Sequence, residues 1–97
     1  MDAGDVYVAD LGGEVRRHVL VLSNAGFHRR AARALVAPEW RGAEVDVPFP
    51  WIVTAEDDLR FAVDHMRSVP LERLLHRVTT APFRTVVAAR RALLAIT

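Results

Sequence analysis

Short β-rich runs followed by one long amphipathic segment predict a mainly-β fold: a small, twisted β-barrel with a helix packed on it. Three observations carry this. Apolar stretches too short for stable helices recur along the first four-fifths of the chain, each closed by Gly, Pro, Asp or Asn. The last stretch instead follows helical spacing. And 97 residues with 52 % hydrophobic content suffice for one small core, hence a single domain over residues 1–97.

Taken in order, "DVYVAD" (5–10) reads as a strand and "LGGE" (11–14) as a turn with two glycines. "HVLVLSN" (18–24) is a continuous apolar run, the pattern of a strand buried on both faces. "AGFHRRAA" (25–32) is a loop or short helical turn, and "RALVAP" (33–38) a strand stopped by Pro38. "EWRGAEVD" (39–46) reads as an exposed loop, and the two prolines of "VPFPWIVT" (47–54) demote it to an edge or irregular strand. "EDD" (56–58) is a turn before a strand "LRFAVDHM" (59–66). In 68–79 a helical turn after Pro70 gives way to a strand over Leu74 to Val78. The final "TTAPFRTVVAARRALLAIT" reads as a helix of about four turns. Thr79 or Thr80 is its N-cap and Pro82 lies in its first turn. Val86, Ala89, Leu93 and Ile96 form the apolar face, opposite Arg84 and Arg91.

Composition narrows the chemistry. The chain has no cysteine, which excludes a disulfide scaffold and thiolate metal sites. No apolar run approaches membrane-spanning length and the acidic start lacks a signal-peptide pattern, so the expectation is a soluble, cytoplasmic protein without a membrane partner. Net charge is only +1, yet every one of the 13 basic residues is arginine, whose planar fork fits phosphate. Basic segments (16–33 and 67–91) flank an acidic middle (44–64). They either fold into one basic face or pair off internally. The four histidines lack ligand-like spacing, so no metal is expected. No glycine-rich phosphate loop or nucleophile elbow occurs, and no cofactor is expected.

"GDVYVADL", then a glycine-containing loop, then "RHVLVLSN" resembles the MazF/PemK family of toxin endoribonucleases. "VDHMRSVPLERL" (63–74) and the terminal helix match that family in the same order. The resemblance implies an SH3-like, antiparallel barrel, a homodimer and a cognate MazE-like antitoxin. It implies metal-independent, sequence-selective cleavage of single-stranded RNA, whether mRNA, rRNA or tRNA. There the 2′-OH attacks the adjacent phosphate, leaving a 2′,3′-cyclic phosphate and a 5′-OH.

By that resemblance Arg17 is the catalytic guanidinium, placed to hold charge developing on the phosphate. Glu14 is the nearest counterpart of the family's loop carboxylate, either orienting Arg17 or accepting a proton, or simply a turn carboxylate. His18 replaces the family's proline; on a strand running from Arg17 it points away from Arg17, toward Leu20 and Leu22. The family's threonine after the third strand is absent, and Trp40 stands there between Glu39 and Arg41. Trp40 is either a stacking platform for a base or a lid over the barrel mouth; Arg41 is a charged substitute for the lost hydroxyl. Phe49 and Trp51 read as core or dimer-interface residues, and His76 as a core or interface histidine. The expected RNA contacts are Arg16, His28, Arg29, Trp40, Arg41, His65 and Arg67, with His28 also open to being an exposed loop histidine. Two rival functions remain at this point. One is a gyrase-poisoning toxin of the same fold, although the end Ala95-Ile96-Thr97 offers no aromatic anchor. The other is a module that binds RNA without cutting it.

Overall fold

The computed structural model describes residues 1–13, 15–41, 50–55 and 59–97. Its elements are β1 (Asp5–Ala9), β2 (Arg17–Val21), α1 (Ala25–Ala31), β3 (Arg33–Pro38), β4 (Ile52–Thr54), β5 (Arg60–Ala62), β6 (Arg67–Pro70), β7 (Leu74–Thr80) and α2 (Phe83–Ile96). Two 3₁₀ turns, Val63–His65 and Leu71–Arg73, precede β6 and β7. Five strands pair antiparallel in the order β6-β3-β2-β1-β7, and β4 pairs with β5 in a second sheet. A bridge between Glu39 and Phe61 ties the two.

The mainly-β class with a C-terminal helix is therefore observed, but the sheet is not closed into a barrel by strand pairing. The turn Leu71–Arg73 instead carries the chain from one sheet edge, β6, to the other, β7. Its ends are tied down: Leu71 N–H donates to the Ala32 carbonyl (3.3 Å) and Asp10 N–H to the Arg73 carbonyl (2.9 Å).

In its central strands the large sheet buries both faces. Val6, Leu20 and Ala37 share a row, and with Phe61, Val63, Ala89 and Ala92 they form the core under α2 and β5. Ala9, Val19, Val21, Val36, Val69 and Leu74 form a second core on the opposite face. Alternation of side chains thus explains why 19–21 is apolar without a break: each residue is buried, whichever way it points.

Several boundaries differ from the sequence reading. β2 stops at Val21 because Asn24 caps α1, its side-chain oxygen accepting the Phe27 N–H at 2.9 Å. Residues 25–32 thereby take the short helical alternative, ended by Ala32 in the left-handed conformation (φ 54°). The run 59–66 is a strand only over Arg60–Ala62 before turning. Of 47–54 only Ile52–Thr54 is a described strand, and residues 47–49, with Phe49, lie outside the described residues.

Neither Thr79 nor Thr80 caps α2. Both remain in β7, where the Thr80 hydroxyl donates to Asp5 Oδ1 (2.9 Å), and Pro82 takes the N-cap position. Proline disfavours helical geometry in Ala81 before it, and Pro82 itself is extended (ψ 156°), so the helix begins at Phe83. The buried face of α2 is Thr85, Ala89 and Ala92, flanked by half-buried Val86 and Leu93; Ile96 is exposed. Thr85 can be buried because its hydroxyl donates to the Thr54 carbonyl (3.0 Å). Arg84 and Arg91 are exposed as expected.

Gly4 holds α2 close. Its φ is +95°, its N–H donates to the Val21 carbonyl, and a Cβ there would stand 2.7 Å from Val86 Cγ2. Valine on a helix has one strongly preferred rotamer, so it does not swing aside freely. Gly4→Ala is expected to destabilise the protein by about 1–3 kcal/mol, read in urea unfolding. Gly4→Ala combined with Val86→Ala should recover the steric part, leaving the backbone strain.

Candidate active site

Three groups of polar residues gather where β2 begins and β3 ends. The first is Arg17 with Trp40. Arg17 pairs across to Ala9 on β1 and shares the face of Val19 and Val21. Val19 pairs with Pro38, and Glu39 N–H donates to the His18 carbonyl (3.0 Å). Continuing that register by one residue sets Trp40 in the row of Arg17, the position where the resemblance leads one to expect a hydroxyl. The half-buried Arg17 guanidinium makes no ion pair or hydrogen bond with any described residue.

Trp40 is held from two sides. Its N–H donates to the Arg60 carbonyl (2.7 Å), and its ring packs edge-on against His65 at 6.3 Å. The indole Nε1 is buried with no partner among the described residues. Trp40 is thus half-buried against the β5–β6 connection rather than part of a wholly exposed loop. His65 is itself exposed, with Nε2 3.5 Å from Asp64 Oδ2.

The second group lies on the other face. His18 Nδ1 is 2.9 Å from Glu39 Oε1, and Arg41 Nε donates to Glu39 Oε2 at 3.1 Å. His18 does point away from Arg17, as alternation requires, but its partner is a carboxylate as well as the apolar row of Leu20. Arg41, the charged substitute expected for the missing hydroxyl, is exposed and pairs with Glu39 through Nε. Burial raises the Glu39 carboxyl pKa, yet the hydrogen bonds from His18 and Arg41 outweigh it and hold the group below its ordinary 4.5. A depressed folded value means that Glu39 stabilises the fold above its ordinary pKa. That increment is lost as pH falls through the lowered folded value. Thermal melting followed from about pH 6 down to about pH 3 should show this acid-side loss, and Glu39→Gln should lessen it, leaving the share of Asp10.

The third group centres on Asp10. Its Oδ2 is 2.9 Å from Arg16 Nη1 and 3.4 Å from Arg73 Nη1, and its Oδ1 accepts the Gly12 N–H (3.0 Å). The Gly12 amide first, and then Arg16, keep the Asp10 carboxyl below its usual range. Arg16 is therefore a paired surface charge. Glu14 lies outside the described residues.

Elsewhere the placements separate. His28 is not a loop histidine: it sits on α1, is 4 % exposed, and bonds Ser23 Oγ through Nε2 (2.6 Å). Its Nδ1 reaches the Met1 carbonyl (3.3 Å), while Leu35 N–H donates to the same Ser23 oxygen (2.9 Å). Buried with both ring nitrogens partnered, it anchors the N-terminus, and the expected RNA contact is corrected to a structural role. Arg29 is exposed on α1, which follows the far end of β2, about 13 Å of strand from Arg17. Arg67 opens β6, exposed. His76 is exposed on β7, not a core residue within this chain. Trp51 packs against the core under α2.

The sequence reading missed Glu39 as the acceptor for His18, and it missed Asp10 and Arg73 as a pair. The first joins residues 21 apart and the second spans most of the chain, so neither pairing is marked by local spacing. Among the described residues no three His, Asp or Glu side chains form a metal-binding set. No described helix is long and apolar enough to cross a membrane.

Known proteins extend the comparison. The fold is similar to MazE–MazF (Form-II) from Deinococcus radiodurans: TM-score 0.81 and 24 % identity, covering 99 % of this chain and 93 % of that one. It is also similar to an endoribonuclease in complex with its cognate antitoxin from Mycobacterial species, with TM-score 0.82, 17 % identity and coverages of 98 % and 92 %. The Mycobacterium tuberculosis toxin MazF-mt6 superposes with TM-score 0.71 at 16 % identity, covering 92 % of this chain and 91 % of that one. At these identities the likeness speaks for the fold. No curated protein matches the sequence. The family described as PemK-like, MazF-like toxin of type II toxin-antitoxin system matches residues 2–97, nearly the whole chain, and the chain belongs to that family.

Proposed function

We propose that the chain is a metal-independent endoribonuclease of single-stranded RNA, with Arg17 as the group that stabilises the transition state. The observation that carries this is the guanidinium at the start of β2. Its backbone is fixed by Ala9 on one side and by the run into β3 on the other, and no described residue neutralises it. Such a charge can meet the phosphorane oxygens without reorganising. The RNA 2′-oxygen loses its proton, bonds to phosphorus, and displaces the 5′-oxygen, which takes up a proton. Glu14, three residues before Arg17, is the proton acceptor in this reading.

The partners follow from the same reading. The cognate antitoxin is a MazE-like chain; the similar structures include toxins solved with theirs. The active form is a homodimer acting in the cytoplasm, where the RNA is. Exposed Leu75, Val78, Phe83 and Leu94 supply apolar area for such contacts. The test is direct. Purified protein should cut a mixed pool of mRNA, rRNA and tRNA in the presence of EDTA. If every RNA survives, the reading fails.

One observation favours a second reading. Trp40 stands in the row where a hydroxyl is expected, and its one donor, the indole Nε1, is buried rather than offered to a phosphate. A protein that binds RNA without cutting it would show salt-dependent binding and no cleavage in the same assay.

A further inference from the structure

A surface cavity of about 190 Å³ lies along β6, lined by Arg33, Arg67 and Arg73, with Asp10, Leu11 and Pro70 completing its wall. Three arginines and one carboxylate line it, and of the three only Arg73 contacts that carboxylate among the described residues. Arg33 is braced: its Nε donates to Ser68 Oγ (2.7 Å) and its Nη2 to the Ser68 carbonyl (3.0 Å), leaving Nη1 unengaged among the described residues. The Arg67 side chain has no hydrogen bond or ion pair with any described residue. Arg73 reaches Asp10 only at 3.4 Å, while Asp10 is closer to Arg16. All three arginines are exposed, so the cavity is open to a ligand.

We propose that this cavity is a phosphate subsite in which Arg33, Arg67 and Arg73 grip a backbone phosphate of RNA outside the bond held at Arg17. The inference rests on the RNA reading above and extends it to a second contact. Its place in the fold fits. Ala9 pairs with Arg17 on one side and Leu74 on the other, and Arg73 precedes Leu74. The Arg73 backbone is therefore about two strand spacings, roughly 10 Å, from that of Arg17. The chemistry points to phosphate rather than to a carboxylate of a peptide. One guanidinium fork already satisfies the two oxygens of a carboxylate, whereas a phosphate presents more acceptor oxygens and shares them among several forks. Asp10 holds Arg73 in place, and the incoming anion replaces the stretched Arg73 contact while Arg16 retains the carboxylate.

The experiment is a titration of the full chain with inorganic phosphate, followed by NMR of the arginine Nε–Hε groups. Saturable shifts are expected for Arg33, Arg67 and Arg73 and none for Arg84 or Arg91 on α2. The second arm measures binding of a single-stranded RNA across salt concentrations. Arg67→Ala with Arg73→Ala should lower the log–log slope by about 1.4, at about 0.7 for each contact to a single strand. Unmoved Nε resonances, an unchanged slope, or shifts produced by a glutamate-rich peptide but not by phosphate each overturn the proposal. If the wild-type protein leaves all RNA intact yet both arms succeed, the nuclease reading falls and the subsite stands as a binding contact.

Discussion

Arg17→Ala is expected to lower the rate of RNA cleavage by about 10²–10³, with the fold unchanged. The size follows from what is removed. A prepositioned cation acting on charge that appears only in the transition state affects the chemical step more than binding. RNA affinity should fall far less than the rate, because the other exposed arginines remain. Arg17→Lys separates charge from geometry: an ammonium restores the charge but not the planar fork, and partial recovery is expected. Stability should not move, since the Arg17 side chain bonds to no described residue. Equal cleavage by wild type and Arg17→Ala would remove Arg17 from the mechanism.

Phe61→Ala should destabilise the fold by about 3–5 kcal/mol, a large part of the roughly 5–15 kcal/mol that holds a small domain together. Phe61 is fully buried and the largest such side chain among the described residues, in the core beneath α2. Its loss leaves a cavity at the bridge opposite Glu39 that joins the two sheets. A fall in melting temperature of at least about 10 °C is expected, and Phe61→Leu should cost much less. The bridge also positions the site, because Trp40 donates to the carbonyl of Arg60, the neighbour of Phe61. Cleavage by the surviving folded fraction of Phe61→Ala should therefore fall too. A variant with native melting behaviour would contradict this account of the core.

Much of the architecture was legible because it is local. β1 and β3, the helical turn and strand after Pro70, and the terminal helix follow from apolar periodicity and from proline and glycine punctuation. The family resemblance, and Arg17 with it, came from short ordered motifs. His18's direction followed from alternation alone. The errors have local competitors as causes. Asn24 capped a helix out of a run read as strand. Pro82 displaced the expected threonine cap. His28 lies in a polar, arginine-rich stretch that nothing in sequence marks as buried, and the carbonyl of Met1 and the hydroxyl of Ser23 decided its place.

The site divides the same way. Sequence by itself determined the residue types: an all-arginine set of positive charges, an arginine opening an apolar strand, and a tryptophan where a hydroxyl is expected. Which charges stay available was decided only by the tertiary structure. Folding ties Arg41 to Glu39 and Arg16 to Asp10, while Arg17 and Arg67 have no partner among the described residues. It also gathers Arg33, Arg67 and Arg73 around one cavity from two parts of the chain. The physical reason is geometry. Periodicity and capping leave their mark in sequence, whereas an ion pair, even between near neighbours such as Glu39 and Arg41, forms only where the fold brings the two charges within about 4 Å.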